Sequence, residues 1–316
     1  YLSEAEKERL REERGAGHWR FKLDYERIDW NDGIIGGVSI DPSSVSDPVV
    51  IRGDGQYLYT LASSVDDMEM NITDVVRGSD HVTNTATQIQ IIRALGGREP
   101  NFAHHSLLTG SEGESLSKRL GTLSLRDIRN AGIVPEALNG LMSRLGTNQS
   151  IEISNNLQLT AKNFELSHFG TAPTRFDIKD LYPLTARHLS TQPFSEVAST
   201  IAELGVPTEK AELFWDVTRE NITTLNDLQK WWNIFSEGVE PVVAEEDKEF
   251  VYQAMALLPE EPFDDQTWAK WVASIKEKTG RKGKTLFMPL RLALTGKESG
   301  PDMARVLPLL KLRKTN

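Results

Sequence analysis

Residues 72–108 carry the pattern that most restricts the fold of this chain. Ile72, Val75 and Val76 predict a strand, and apolar residues at helical spacing then predict a helix that ends at Gly96 and Gly97. The run FAHHSLL at 102–108 predicts a second strand. A strand, a helix and a strand in this order are typical of an α/β sheet, which binds ligands beyond the carboxyl ends of its strands.

Beyond about residue 124 the pattern changes, and successive helices are separated by Pro, Gly or Thr. LSTQPFSE interrupts the pattern near residue 190. We therefore predict a mixed α/β part followed by an all-helical part. Four tryptophans in the helical part could stack on nucleic-acid bases, but their helical spacing favours the core. They are Trp231, Trp232, Trp268 and Trp271.

Length, charge and cysteine content exclude several classes of protein. The 316 residues are enough for two domains, and the net charge of −10 argues against indiscriminate binding of nucleic acid, although a local basic surface would suffice for RNA. No apolar run approaches the roughly 20 residues that span a bilayer. With no cysteine there is no disulfide, thiolate nucleophile or cysteine-ligated zinc. We predict a cytoplasmic protein that binds neither DNA nor a membrane.

The polar loop SEGESLSKRLG, residues 111–121, follows the second strand and places Lys118 beside Arg119. Such a lysine can meet the phosphates of a nucleotide and stabilise the charge that develops during phosphoryl-type chemistry. Neighbouring lysine and arginine are also common on surfaces without any function. The spacing alone leaves both interpretations open.

Two further residues are candidates for a small-molecule site. Arg77, in VVRGSDH, stands near the end of the first strand and could hold a carboxylate with two parallel hydrogen bonds, or pair with Asp80 and stiffen the turn. Tyr59 is predicted to lie in the second strand of a hairpin over residues 49–62, as a core residue whose hydroxyl is satisfied at the edge.

Other catalytic motifs are absent from the sequence. The histidines lack HExxH spacing, so we predict no protein-bound metal. His104 and His105 are expected to point to opposite faces of a strand. There is no GxGxxG, GxxxxGK[ST] or GxSxG motif.

Several stretches, in their order along the chain, resemble one family. SLSKR (115–119) resembles the KLSKR signature of class I aminoacyl-tRNA synthetases. LYTLASSVDDMEMNITDVVRGSDHVTNTATQIQIIRALG (58–96) resembles the segment that precedes this signature in bacterial glutamyl-tRNA synthetases. LSLRDIRNAGIVPEAL and GRKGKTLFMPLRLALTGKESGP resemble the stem-contact and anticodon-binding regions of that family. The resemblance extends over almost the whole chain.

The resemblance implies the carboxyl-terminal half of a Rossmann-type catalytic domain, followed by an all-α anticodon-binding domain. Four segments are then expected. They are a remnant of the acceptor-stem-binding insertion (1–48), the second half of the catalytic domain with the KLSKR-like loop (49–123), a stem-contact region (124–190) and the helical anticodon-binding domain (191–316).

The same resemblance implies roles for individual residues. Lys118 would contact ATP phosphates and stabilise the transition state of adenylate formation, with Arg119 assisting. Tyr59 and Arg77 match positions that line the glutamate pocket. The ATP-binding loop would comprise Ser115, Leu116, Ser117 and Lys118, the pocket rim Asp80, His81 and Asn84, and an anticodon-contact loop Arg219, Glu220 and Asn221.

The implied reaction joins L-glutamate to tRNA(Glu). ATP, with Mg²⁺, would convert glutamate to glutamyl-adenylate, and the terminal ribose of the tRNA would take the glutamyl group. Such catalysis relies on positioning and charge stabilisation, which accounts for the absence of a nucleophilic side chain. The family also implies a monomer.

Two departures from the family pattern bear on activity. Ser115 stands where the family usually has lysine, and the HxGH-type first signature does not occur in the sequence. Since the chain opens on Tyr1, we expect it to be the carboxyl-terminal part of a longer enzyme and to be inactive alone. An alternative is a non-catalytic tRNA-binding paralogue. The shortened relatives that glutamylate a modified tRNA base end before a helical anticodon domain, so residues 190–316 argue against them.

Overall fold

The computed structural model describes residues 2–110, 112–113 and 124–312. Its strands are β1 (Trp19–Arg20), β2 (Ile28–Asp32), β3 (Gly36–Ile40), β4 (Val49–Ile51), β5 (Asp74–Gly78), β6 (Asn101–His105), β7 (Leu108–Thr109) and β8 (Thr174–Arg175). Its helices are α1 (Glu4–Arg14), α2 (Tyr59–Glu69), α3 (Val82–Ala94), α4 (Leu125–Asn130), α5 (Pro135–Met142), α6 (Leu157–Lys162), α7 (Leu181–Thr191), α8 (Phe194–Glu203), α9 (Thr208–Thr218), α10 (Asn226–Glu237), α11 (Lys248–Met255), α12 (Thr267–Thr279), α13 (Lys284–Thr295) and α14 (Met303–Val306).

The chain divides into two units. The first comprises the described residues within Tyr1–Leu120, Met142–Glu152 and Asn156–Phe176. The second comprises those within Gly121–Leu141, Ile153–Asn155 and Asp177–Asn316. Every strand of the described residues lies in the first unit, and the second is built from helices. The four segments predicted from the sequence stay predictions.

The first unit contains the β-α-β element that the sequence predicts. β5 and β6 pair in parallel, and α3 connects them. The register places Arg77 of β5 opposite His104 of β6. α3 is buried from Thr85 to Ile92 because it packs against the sheet. The carboxyl ends of two parallel strands therefore lie at one edge, which is where α/β sheets bind ligands.

A hairpin of β2 and β3 packs beside this element. Gly36, at a φ of 85°, adopts the left-handed conformation that favours glycine, and it begins β3. The backbone N–H of Gly33 donates to the carbonyl of Phe102, at 2.9 Å, and so joins the end of the hairpin to β6. Ile28 of β2 shares a buried core cluster with Ile89 of α3 and with Phe102. The hairpin thus places the end of β2 against β6.

The helical unit is packed around aromatic residues. Trp231 and Trp271 are buried, as their helical spacing predicts, whereas Trp232 and Trp268 are only half-buried. The indole N–H of Trp271 donates to the carbonyl of Ala254 at 2.8 Å, so its polar atom is satisfied inside the core.

Pro289 lies inside α13 and has no backbone N–H to donate to the carbonyl of Thr285, one turn earlier. The Nη1 of Arg281 donates to that carbonyl instead, at 3.2 Å. Arg281 also pairs with Asp247 and lies 4.2 Å from the centroid of the Phe250 ring. The arginine side chain therefore supplies the donor that the proline removes from the helix.

The predicted hairpin over residues 49–62 is wrong in its second half. Tyr57 forms an isolated antiparallel bridge with Ile51, but Tyr59 begins α2 instead of continuing as a strand. Because Tyr59 is 51% exposed, it is not the core residue that a strand position predicts. His104 and His105 do lie on opposite faces, one buried and one exposed, as predicted.

The described residues contain no helix that is long and apolar enough to cross a membrane. Among the same residues, no group of three or more His, Asp or Glu side chains is arranged to hold a metal ion.

Candidate active site

Arg77 occupies the end of β5 and forms the centre of the candidate site. Its Nη1 donates to the hydroxyl of Tyr59 at 3.0 Å, and its Nη2 donates to the hydroxyl of Thr85 at 2.6 Å. Its Nε lies 3.3 Å from the Nε2 of His104. An arginine has five N–H donors, so these contacts leave two that no hydrogen bond to the described residues occupies. Two free donors on a fixed guanidinium can bind a carboxylate.

Arg77 is half-buried, and its guanidinium lies beside an aromatic ring. The guanidinium carbon lies 5.7 Å from the centroid of the Phe102 ring, which belongs to the neighbouring strand β6. Asp67 of α2 is the carboxylate that Arg77 affects electrostatically. Burial raises the pKa of Asp67 above its usual value, although the charge of Arg77 opposes the rise. Asp67 and Arg77 therefore interact electrostatically within the first unit.

Tyr59 contributes the exposed wall of the site. Its ring meets the imidazole of His81 edge to face, with centroids 5.5 Å apart. The hydroxyl is held by Arg77 while about half of the residue faces solvent. A ligand at Arg77 would therefore also meet the aromatic ring of Tyr59.

The rim residues predicted from the sequence lie in the 3₁₀ turn Ser79–His81 and the first turn of α3. Asn84 Nδ2 lies 3.3 Å from His81 Nδ1, and His81 Nε2 lies 3.8 Å from the carboxylate of Asp80. The structure thus brings His81 against Tyr59, while the side chain of Asp80 stays 57% exposed. Their role in binding a ligand stays a prediction.

A buried pair that the sequence analysis did not identify lies behind Arg77. The side chains of Asp32 and His104 are both 0% exposed, and Asp32 Oδ2 lies 2.5 Å from His104 Nδ1. Asp32 Oδ1 accepts backbone N–H bonds from His104 at 3.0 Å and from Ile34 and Ile35 at 3.1 Å. Burial alone would raise the pKa of Asp32, but the hydrogen bonds from His104 and the backbone outweigh it and lower the pKa. Asp32 is therefore a buried carboxylate.

No local sequence signal links Asp32 to His104, because 72 residues separate them. Asp32 precedes Gly33, a pair that predicts only a turn. His104 stands in an apolar strand, where a single histidine gives no indication of its partner. Thr85 was missed for the same reason, since a threonine in a helix has no distinctive spacing.

The predicted ATP-contact residues lie outside the described residues. They are Ser115, Leu116, Ser117, Lys118 and Arg119. Their roles stay predictions.

The predicted anticodon loop follows α9 in the helical unit. Arg219 Nη1 donates to the carbonyl of Gln192 at 3.3 Å, and Nη2 lies 3.7 Å from Asp216. Its Nε is buried and has no hydrogen-bond partner among the described residues. Glu220 and Asn221 are exposed. Arg219 thus has a structural role within the unit, and its contact with an anticodon stays a prediction.

Comparison with models of protein families shows which family the chain belongs to. Residues 1–183 match the model of the catalytic domain of class I tRNA synthetases (E and Q), and residues 188–315 match the model of an anticodon-binding domain. The chain belongs to the class I tRNA synthetases of the E and Q type. The predicted family, the fold class and the assignment to the aminoacyl-tRNA ligases are therefore confirmed.

Individual members of this tRNA synthetase family extend the comparison. The chain is 62% identical to glutamate–tRNA ligase 1 of Roseobacter denitrificans, over 99% of the chain and 71% of that protein. It is 61% identical to glutamate–tRNA ligase 2 of a Ruegeria species, over 98% of the chain and 70% of that protein. The crystal structure of a glutamate tRNA ligase from Elizabethkingia meningosepticum in complex with its amino acid matches with a TM-score of 0.78 and 25% identity, over 98% of this chain and 68% of that one.

Proposed function

We propose that the chain carries the glutamate-binding and tRNA-binding parts of a glutamate–tRNA ligase. The observation that carries the proposal is Arg77, which lies at the carboxyl end of β5 beside the exposed ring of Tyr59. Two of its N–H donors make no hydrogen bond to the described part of the chain. The relatives named glutamate–tRNA ligase support the choice of glutamate as substrate.

The reaction has two steps. A carboxylate oxygen of glutamate attacks the α-phosphorus of ATP, and the bond to pyrophosphate breaks. A ribose hydroxyl at the 3′ end of tRNA(Glu) then attacks the carbonyl carbon of the adenylate, loses its proton and displaces AMP. Neither step requires a covalent intermediate with the protein. The protein's contribution is to orient the reacting groups and to stabilise developing charge.

Arg77 is the residue proposed to bind a carboxylate of glutamate, and Tyr59 lines the same pocket. Glutamate at neutral pH carries two carboxylates, and a half-buried guanidinium favours a negative ligand over the neutral amide of glutamine. The rim formed by Asp80, His81 and Asn84 would limit the length of the ligand that fits.

The remaining substrates are proposed from the family. Lys118 and Arg119 would contact the phosphates of ATP, which enters with Mg²⁺ as a substrate. The helices of residues 188–315 would bind the anticodon arm of tRNA(Glu), with the loop at Arg219 as the proposed contact. We further propose that the protein acts as a monomer in the cytoplasm, where ATP and tRNA are available.

One departure from the family pattern supports a second candidate, a tRNA-binding paralogue without catalysis. Ser115 replaces the lysine that usually opens the second signature, which removes one positive charge from the ATP-binding loop. In that case the chain would bind tRNA but would not form an adenylate.

The test is amino-acid-dependent ATP–pyrophosphate exchange by the protein expressed from its complete gene. Glutamate, glutamine and aspartate would be compared with and without tRNA(Glu), and tRNA binding would be measured in parallel. Exchange that depends on glutamate supports the ligase. Binding of tRNA without exchange for any of the three amino acids would refute the ligase and favour the paralogue.

A further inference from the structure

A continuous chain of hydrogen bonds runs from the interior of the first unit to Arg77. Asp32 Oδ2 lies 2.5 Å from His104 Nδ1, and His104 Nε2 lies 3.3 Å from Arg77 Nε. Asp32 and His104 are both fully buried, and neither is reached by a ligand at the rim. Hydrogen bonds from His104 to Arg77 and to its neighbour Thr85 link the pair to the candidate site.

The contact between Arg77 and His104 indicates where the imidazole proton lies. Arg77 Nε always carries hydrogen, so it can only donate, and His104 Nε2 must then present a lone pair. The proton of the neutral imidazole therefore sits on Nδ1 and is donated to Asp32. Thr85 is compatible with this arrangement. Its hydroxyl accepts from Arg77 Nη2 at 2.6 Å, and its one proton can be donated either to His104 Nε2 at 3.0 Å or to the carbonyl of His81 at 3.3 Å.

The Asp32 carboxylate is itself fixed in place. Oδ1 accepts three backbone N–H bonds, from His104, Ile34 and Ile35, so the carboxylate cannot rotate without breaking them. Oδ2 also lies 3.4 Å from the indole N–H of Trp30. The hairpin turn after β2 thus determines which oxygen faces His104.

We propose that Asp32 and His104 are positioning residues for glutamate binding: Asp32 holds His104 in the neutral Nδ1–H tautomer, and this tautomer orients Arg77. With Nε bound to His104, the guanidinium plane is set, and the two N–H groups that bond to no described residue have a fixed direction. The inference rests on the proposed role of Arg77 in binding glutamate. It adds two residues that do not contact the substrate.

The Asp32→Asn variant tests the tautomer. The three backbone N–H groups require the amide oxygen at the Oδ1 position, which places the amide N–H₂ against His104 Nδ1. His104 must then accept at Nδ1 and carry its proton on Nε2, where it faces the Nε–H of Arg77. The matched control is Asp29→Asn, because Asp29 is an exposed carboxylate on the same strand.

Two substitutions of His104 separate its two nitrogens. The amide of Gln reaches the Nε2 position and can accept from Arg77, whereas the amide of Asn reaches the Nδ1 position and can only maintain the contact with Asp32. Asn also leaves a larger cavity than Gln at this fully buried position, so folding stability alone does not separate the two roles. The positioning role is recognised by a difference between the variants in KM for glutamate at unchanged KM for ATP.

We expect Asp32→Asn and His104→Asn to raise KM for glutamate about tenfold or more, because a charged donor loses its acceptor. In these variants KM for ATP should change by no more than about twofold, and in the Asp29→Asn control KM for glutamate should also change by no more than about twofold. His104→Gln should lie closer to the wild type than His104→Asn. Equal KM values for glutamate in Asp32→Asn and Asp29→Asn, or equal effects of the two His104 variants, would overturn the inference.

The tautomer has a spectroscopic signature that does not depend on catalysis. In ¹⁵N-histidine-labelled protein we expect the His104 resonances, assigned by their loss in His104→Gln, to show Nδ1–H in the wild type and Nε2–H in Asp32→Asn. Nε2–H in the wild type would overturn the inference even if the protein proves to be a glutamate ligase. Absence of glutamate-dependent exchange in the wild type would instead refute the proposed function, and the nitrogen spectra would still test the link from Asp32 to His104. If Asp32→Asn does not fold, the two His104 variants and the wild-type spectrum decide the question.

Discussion

Replacing Arg77 with lysine keeps the positive charge but removes the planar group on which the candidate site depends. The guanidinium contacts Tyr59, Thr85 and His104 through three different nitrogens. A lysine has one ammonium on a flexible stem and can maintain at most one of these contacts while it also reaches a ligand. We therefore expect the positive charge to remain near the site, but its N–H donors will no longer be held in a defined direction.

The size of the effect follows from the two donors that Arg77 has available. A hydrogen bond from a charged donor contributes about 1.5–3 kcal/mol, and a ligand carboxylate would lose one of two such bonds together with the orientation of the other. A loss of about 3 kcal/mol corresponds to a decrease of roughly 150-fold in kcat/KM for glutamate. KM for ATP should stay close to the wild-type value, because the change concerns only the proposed glutamate pocket.

The assay is glutamate-dependent ATP–pyrophosphate exchange at varied glutamate concentration, with circular dichroism to confirm folding. Arg93→Lys is the matched control, because Arg93 forms a comparable paired contact with Glu99, at 2.7 and 3.2 Å, on the exposed surface. Surface pairs contribute little, so the control should retain its kcat/KM. A folded Arg77→Lys protein whose kcat/KM for glutamate lies within about threefold of the wild type would refute the role assigned to Arg77.

Two further predictions concern the helical unit. Burial lowers the pKa of His188, although Glu136 opposes the shift, so the unfolded chain binds more protons near the usual histidine pKa and stability must fall as pH drops below it. Between pH 7.5 and 5.5, urea unfolding should show a smaller loss of stability in His188→Gln than in the wild type. An equal loss in both proteins would contradict the lowered pKa of His188. Trp271→Phe removes an indole that is 1% exposed and also removes its hydrogen bond to the Ala254 carbonyl. This variant should lower the free energy of unfolding by about 2 kcal/mol. Trp19→Phe, at a position that is 70% exposed, should change it by less than about 0.5 kcal/mol, and similar values for both variants would refute the argument.

Local patterns in the sequence predict the β5-α3-β6 element well, because two short stretches of strand-forming residues, a helical spacing between them and a glycine stop leave few alternatives between residues 72 and 108. The same approach fails at Tyr59. The run QYLYTLA alternates like a strand, yet the chain turns into α2 at Tyr59, and Gln88 of α3 donates to Ser63 of that helix at 2.7 Å. Packing between α2 and α3 overrides the local preference.

The candidate site shows the same division between local and long-range information. Arg77 can be identified from its place at the end of a predicted strand. Asp32 and His104 cannot, because their contact depends on the hairpin of β2 and β3 packing against β6. The proposed ligand-binding residue thus stands in a recognisable local pattern, whereas the two proposed positioning residues are brought to it only by the fold.

The substitute donor in α13 has a consequence for how substitutions at two positions combine. While Pro289 is present, the carbonyl of Thr285 depends on Arg281, so losing the arginine leaves a backbone acceptor without that partner. If residue 289 had a backbone N–H, the helix itself would supply the bond, and Arg281 would keep only its contacts with Asp247 and Phe250. The two positions are therefore energetically coupled: replacing Arg281 should cost more stability while Pro289 is present than when residue 289 carries a backbone N–H.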